Sequence, residues 1–488
     1  MNKKMSSSNN AAKMSSPSGQ RTWHGIGART ALAALLGVGL AAQAARGETV
    51  LFSDNFTVSA NSINVNFENN AGRQNGGALG VINYTKAGPD YVSQVGNPIC
   101  PGSLLLVESS TDGRGYVSPD HNFIENPGLG SASFIRFNAY PVIPGGAQGP
   151  EDWVGITLGT CFTNRNTVVD RSDGFGILFQ GNGGFYAFDG WNQIGRGTYT
   201  TVTTGYHAID IRVAGLGDGN PWDGANGTVI AVFADGKNAP LFCYRKPGVG
   251  YTNNWMTLMG AGSTPGNVCH AIDNLQVGLA AAMASTNLAL KVDFQNTTTT
   301  GAPETQVGFF DFNESDVGSA TYPTRAGEVK VTLSGMDTIL QGFYNRGGVG
   351  NGGNLTFAGI YNDFAFKNGA SPQSLTLTLS GQGIAARERY KLTFYSYDQE
   401  ITTGTHSVLF SGGSGTTGSA GPLVYTGGQT PTSNSAYSVT GVFKADAMGT
   451  LTLSMVDTFS GNDTGIRLNA FEITAEPLTP RGTRISFY

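Results

Sequence analysis

Acidic side chains are the first candidates for chemistry in this chain. Cleaving a glycosidic bond takes two carboxylates roughly 5 to 9.5 Å apart. On a single strand that means acids at i, i+2 or i+4, because neighbouring residues point to opposite faces. No such run is present: Glu151 and Asp152 are adjacent and diverge, and Asp170 with Asp173 has the wrong parity. Carboxylates converging from separate strands are the one route left to a polysaccharide hydrolase or lyase. A nucleophilic serine fares no better, since there is no Gly-x-Ser-x-Gly elbow and Ser411-Gly-Gly-Ser-Gly lacks a strand-turn-helix setting. His121, His207, His270 and His406 are isolated from one another, which marks them as structural. Catalysis is therefore not expected.

Recognition is better represented. Sugars are held by aromatic faces that stack on the pyranose ring, with amides and carboxylates bonding the hydroxyls. In the run Tyr390 to Asp398, Leu392 and Phe394 share one strand face, so Lys391, Thr393, Tyr395 and Tyr397 share the other. That second face is the expected ligand platform, with Asn345 and Asp398 adding hydrogen bonds from nearby loops. Trp191, following Asp189-Gly190, and Trp222, in a glycine-rich loop, are the tryptophans expected to reach solvent. The competing expectation is that these aromatics do no more than cover a sheet face or plug a sandwich end.

The elements that must position these residues are strands. Of the 488 residues only 13% are charged and 71 are glycine, a polar but weakly charged composition against a globular average of about 25% charged. With 29 Lys plus Arg against 34 Asp plus Glu, there is no basic stripe for phosphates, and nucleic acid is not an expected partner. Residues 1–48 read as a signal peptide and leader: a long basic stretch, an apolar run from Ala31 to Ala42, and a small-residue site at Ala42-Gln43-Ala44 with cleavage after Ala44. The run is too short and too rich in Ala and Gly to span about 30 Å of hydrocarbon, so no transmembrane anchor is expected after cleavage. Export makes disulfides plausible chemistry. Cys100, Cys161, Cys243 and Cys269 are even in number; three pairings exist on paper, with Cys243–Cys269 and Cys100–Cys161 preferred.

Two similar cassettes close two halves of the chain. Ile272-Asp273-Asn274-Leu275-Gln276-Val277 and Leu468-Asn469-Ala470-Phe471-Glu472-Ile473 both place a two-residue phase shift ahead of an alternating strand, as a β-bulge would. Phe175 to Gln180 and Phe185 to Asp189 flank a glycine turn and predict a hairpin. His207 to Val213, Thr228 to Ala234 and Leu241 to Tyr244 predict strands, as do Leu375 to Leu379, Val439 to Phe443 and Thr450 to Val456. The stretch from Ser411 to Ser435, rich in Gly, Ser and Thr, predicts a long mobile loop. The expected fold is all-β: two β-sandwich (jelly-roll) domains in tandem, over 49–280 and 290–475, joined by a linker at 281–289 and ending in a tail at 476–488.

Phe175-Gly176-Ile177-Leu178-Phe179, Phe185-Tyr186-Ala187-Phe188-Asp189-Gly190, Tyr206-His207-Ala208-Ile209-Asp210-Ile211 and Val232-Phe233-Ala234-Asp235-Gly236, closed by Ile272-Asp273-Asn274-Leu275, resemble the concanavalin A-like (laminin-G-like) jelly rolls of bacterial exported proteins. Val292-Asp293-Phe294-Gln295 with the cassette at Leu468 to Ile473 resembles the first and last strands of galactose-binding-like jelly rolls, found in carbohydrate-binding modules and malectin-like domains. The second resemblance implies a structural calcium near Asp293 and Glu472; the oxygen-rich segments 217–226 and Asn313-Glu314-Ser315-Asp316 also offer hard ligands. Together the two imply a secreted or cell-surface protein that binds a polysaccharide or other glycan. A structural envelope protein that contacts neighbouring proteins is the alternative, and a hydrolase or lyase the next.

Overall fold

Strict alternation builds the strands. In Ser374–Ser380 the leucines Leu375, Leu377 and Leu379 are fully buried while the serines and threonines between them face outward, the period-2 pattern of a sheet with one wet face. The computed structural model describes residues 49–476 with breaks at 57–74, 87–91, 95–103, 108–113, 124–131, 141–151, 161–172, 216–226, 262–268, 280–286, 297–304 and several shorter stretches. The expected leader, residues 281–286 of the expected linker and residues 477–488 of the expected tail lie outside the described residues; of the rest of the linker, Leu288 is buried in a core and Ala289 already starts a strand. Among those residues regular structure is almost wholly β, and no helix is long and apolar enough to cross a membrane.

The N-terminal sandwich has two sheets. One holds β1 (Thr49–Asp54), β2 (Asn75–Gly76), β4 (Val92–Gln94), β5 (Leu104–Val107), β7 (Ala132–Tyr140), β12 (His207–Gly215), β13 (Thr228–Ala234), β14 (Phe242–Lys246) and β16 (Cys269–Leu279), with main order β14-β13-β12-β7-β16-β1-β2. The other runs β11-β10-β9-β8-β15-β6-β3, from β3 (Tyr84–Lys86), β6 (Arg114–Pro119), β8 (Trp153–Thr160), β9 (Phe175–Gln180), β10 (Gly184–Asp189), β11 (Asn192–Thr198) and β15 (Trp255–Ala261). Ile135, Phe137, Ile156, Ile177, Phe179, Ile211 and Val232 fill the space between them. The cassette in β16 does carry a bulge: the register with β7 slips between Asp273 and Gln276, where Asn274 takes a φ of 51°.

The C-terminal sandwich is one long sheet folded on itself. Its order is β18-β17-β30-β24-β27-β26-β25-β28-β23-β20-β19. These are β17 (Ala289–Gln295), β18 (Phe310–Asn313), β19 (Ser319–Thr324), β20 (Gly327–Ser334), β23 (Ser374–Ser380), β24 (Arg389–Tyr395), β25 (Thr405–Gly413), β26 (Thr417–Thr426), β27 (Ser438–Lys444), β28 (Leu451–Asp457) and β30 (Ala470–Ala475). Phe310 and Tyr322 sit on its two terminal strands, yet their rings are 4.9 Å apart, so the sheet's ends meet. A three-stranded sheet of β21 (Phe343–Asn345), β22 (Asp363–Asn368) and β29 (Gly465–Leu468) adds Phe343, Ala365, Ile466 and Leu468 to the same core. The second cassette steps between sheets: Asn469 separates β29 from β30, and its side chain accepts from the Tyr397 N–H (2.6 Å) and donates to the Asp363 carbonyl (2.7 Å).

About half of the expected loop at Ser411 to Ser435 is instead strand, formed by the end of β25 and by β26. Glycine there serves close packing. A Cβ on Gly418, whose φ is 128°, would fall 2.2 Å from the Val442 carbonyl oxygen, so a composition that reads as loop is what the close approach of two backbones requires.

The two sandwiches also share a seam. Val229, Ala231 and Phe233, on the face of β13 turned away from its own core, belong to the C-terminal core. An Arg245–Asp316 ion pair flanks this seam, and Arg325 donates to the Gly236 carbonyl.

Candidate functional site

β24 stops at Tyr395, three residues before the expected strand end, and the alternation stops with it. Tyr395 is 5% exposed and Tyr397 1%. Both lie in a satellite core with Tyr361, Ile360, Leu355, Val349 and Phe309. The chain between β21 and β22 closes over the sheet here, with Asn362 accepting from the Val349 N–H (2.8 Å) and Tyr361 donating to the Ala436 carbonyl (2.6 Å). The Tyr395 hydroxyl donates to Glu472 Oε1 (2.8 Å), and burial together with that carboxylate raises the phenol's pKa. Burial lifts Tyr397 to about 12. The expected platform is thus a packed interface, with no open ring face for a sugar at either tyrosine. Asp398 is buried as well: Arg346 Nε and Arg467 Nε each donate to it at 3.2 Å. Asn345 is half-buried on β21, whose next residue is Arg346.

The carboxylates named for calcium are engaged by other groups of the protein. Asp293 accepts at Oδ2 from the Gln306 N–H (3.0 Å), its Oδ1 is buried without a hydrogen-bond partner, and burial pushes its carboxyl up to about 7. Glu472 is neutralised by Lys291 at 3.0 Å. Asp316 is committed to Arg245. Among the described residues no three His, Cys, Asp or Glu side chains are grouped as a metal would need. Trp222 and segment 217–226 lie outside the described residues, as do Cys100 and Cys161. Cys243 is a free thiol. Its expected bond to Cys269 is not made, because β13, β12 and β7 separate their strands, which at about 4.8 Å per strand is far beyond disulfide reach.

Trp191 is placed as expected, 64% exposed. It is the second residue of a two-residue hairpin loop whose first, Gly190, has a φ of 57°, the conformation at that position of a type II′ turn. Behind the turn Asp189 is anchored by the Tyr244 hydroxyl (2.6 Å) and Lys246 Nζ (3.2 Å) from the opposite sheet. This ties the hairpin tip across the end of the sandwich.

From the tip runs β11, the edge strand of its sheet. Its inward positions are Ile194, which packs on the core, and two glycines: a Cβ on Gly195 would fall 2.2 Å from the Phe242 ring, and one on Gly197 would fall 2.7 Å from the Phe185 ring. Its outward positions carry Gln193, Arg196 and Thr198, all exposed. Gln193 pairs with Phe188 and Arg196 with Tyr186 on β10, which places each polar group beside a half-buried ring on one face. The two rings are 6.4 Å apart and inclined at 35°. Trp153, Leu178, Met259 and Ala261 continue this aromatic and apolar face inward. On the outward face of β8 to β11 no described residue is acidic. Tyr186 and Phe188 are legible in the alternation around Phe185 and Ala187, whereas Gln193 and Arg196 are not, because a bulge between them breaks the parity of β11.

No family model matches the chain, and no curated protein matches it. Solved structures similar to it include the metal-free carbohydrate recognition domain of Emp46p (10% identity, 40% of this chain, 87% of that one, TM-score 0.29). The VIP36 exoplasmic/lumenal domain in its Ca2+/Man2-bound form gives 9% identity over 47% of this chain and 88% of that one, with a TM-score of 0.30. The CBM22-1–CBM22-2 tandem of Paenibacillus barcinonensis Xyn10C gives 11% identity over 88% of this chain and 99% of that one, with a TM-score of 0.23.

Proposed function

We propose that the protein is an exported, non-catalytic carbohydrate-binding protein whose glycan site is the outer face of the β10–β11 hairpin. The observation that carries this reading is Trp191, exposed at the corner of a face that also offers the Phe188 and Tyr186 rings and the Gln193 amide. Rings that stack and amides that bond hydroxyls on one shallow surface are what a saccharide needs. Binding is favoured over cleavage because that face holds no described carboxylate, and hydrolysis takes two. The sandwiches are read as two domains divided between 280 and 290. Secretion or cell-surface display belongs to the same proposal, motivated by the leader.

A glycan array on the mature protein tests the site. Trp191→Ala should lower glycan affinity about tenfold or more, the scale of one lost aromatic stack, and shift Tm by no more than about a degree, since the residue is a surface one. Binding unchanged in this variant would remove the hairpin from consideration. Tyr395→Phe should leave binding unaltered.

A further inference from the structure

Resting on that reading, we infer that the glycan held on the β10–β11 face is anionic, a chain bearing carboxylates such as a uronan. The argument is one of charge and of unspent hydrogen bonds. Arg196 is exposed, and among the described residues its side chain has no ion-pair or hydrogen-bond partner. The other arginines of this sandwich whose surroundings are described are all engaged: Arg136 and Arg212 with Asp210, and Arg245 with Asp316. Among the described arginines of this sandwich, Arg196 is the one held toward solvent.

Its placement is fixed by the backbone. Gly195 and Gly197 on either side face the core, against the Phe242 and Phe185 rings, so the strand cannot rotate Arg196 inward. Opposite it stands Tyr186, and two pairs along stand Gln193 and Phe188. The guanidinium thus borders a surface on which sugar rings would lie. A carboxylate on such a ring can take two parallel N–H donors from it, a geometry that a neutral hydroxymethyl group cannot match. Lys246, a further cation at this end of the sandwich, is already paired with Asp189. With no described acid on the face to repel an anion, the local field favours a negatively charged ligand.

The probes are polygalacturonate and its fully methyl-esterified form, which share a backbone and differ in charge. Calorimetry on the full chain should show about tenfold tighter binding of polygalacturonate, the scale of one charge-assisted bidentate contact, weakening as salt rises from about 0.05 to about 0.5 M. Arg196→Gln should erase that preference and leave affinity for the ester unchanged, while Trp191→Ala should weaken both. Equal affinity of the wild type for the two polymers, or a preference that survives Arg196→Gln, overturns the inference and leaves the site standing. So does binding of a neutral glycan with neither probe bound. Absence of any glycan binding overturns the site and the inference together.

Discussion

Asp293 and His406 are buried ionisable groups that respond to pH in opposite senses. Burial lifts the Asp293 carboxyl from 3.8 to about 7. Between those values the folded protein holds a proton that the unfolded chain releases, so this group's contribution to stability falls as pH rises from 4 to 7. Asp293→Asn should be more stable than wild type at pH 8, by about 1–3 kcal/mol, and equal to it near pH 4; urea titrations at both pH values measure the difference, and a variant weaker at pH 8 refutes it. His406 lies against the Tyr425 ring at 4.9 Å, and burial with nearby Arg467 lowers its pKa from 6.5 to about 4. Here the unfolded chain binds the extra proton, so stability is lost as pH falls through that window. His406→Phe, similar in shape and unable to charge, should flatten the stability profile between pH 4 and 6.5 by about 1–3 kcal/mol.

At the scale of elements, close backbone contact decides what side-chain pattern cannot. Gly418→Val should cost about 2–4 kcal/mol, because the branched side chain meets the Val442 carbonyl and sits at a φ of 128°; chemical denaturation checks it, and a loss under about 0.5 kcal/mol would show that β26 gives way freely. The same chemistry explains what was legible in the sequence. Strands with apolar residues on one face, such as Leu375 to Leu379, or on both, such as Thr228 to Ala234, are legible with their ends nearly right, and the bulge at Asp273-Asn274 is legible from its phase shift. β26 was missed because its glycines serve contact with a neighbouring backbone, which leaves no periodicity. The tyrosine platform was misplaced for a related reason: alternation told which way Tyr395 points, but the covering chain from Arg346 to Asn362 is distant in sequence, and only tertiary packing shows that it closes over the ring. The exposure of Trp191 is legible because a tight turn fixes it locally.

At the scale of the molecule, the seam makes the two sandwiches interdependent. Phe233 is 1% exposed, and burying such a ring is worth about 1.5–3 kcal/mol; together with Val229 and Ala231 it ties the second core to a strand of the first sandwich. Calorimetry should show one unfolding transition across both sandwiches, and Ala231→Arg, which forces a charge into the seam, should split it in two; two transitions in the wild type would contradict this coupling. Cys243 borders the second core, so a thiol reagent should label it faster in that variant. The edge strand β11 has a different consequence. With Ile194 and two glycines at its core-facing positions, the fold asks almost nothing of the residues on its solvent side, so Gln193, Arg196 and Thr198 can be exchanged while the scaffold stays as it is.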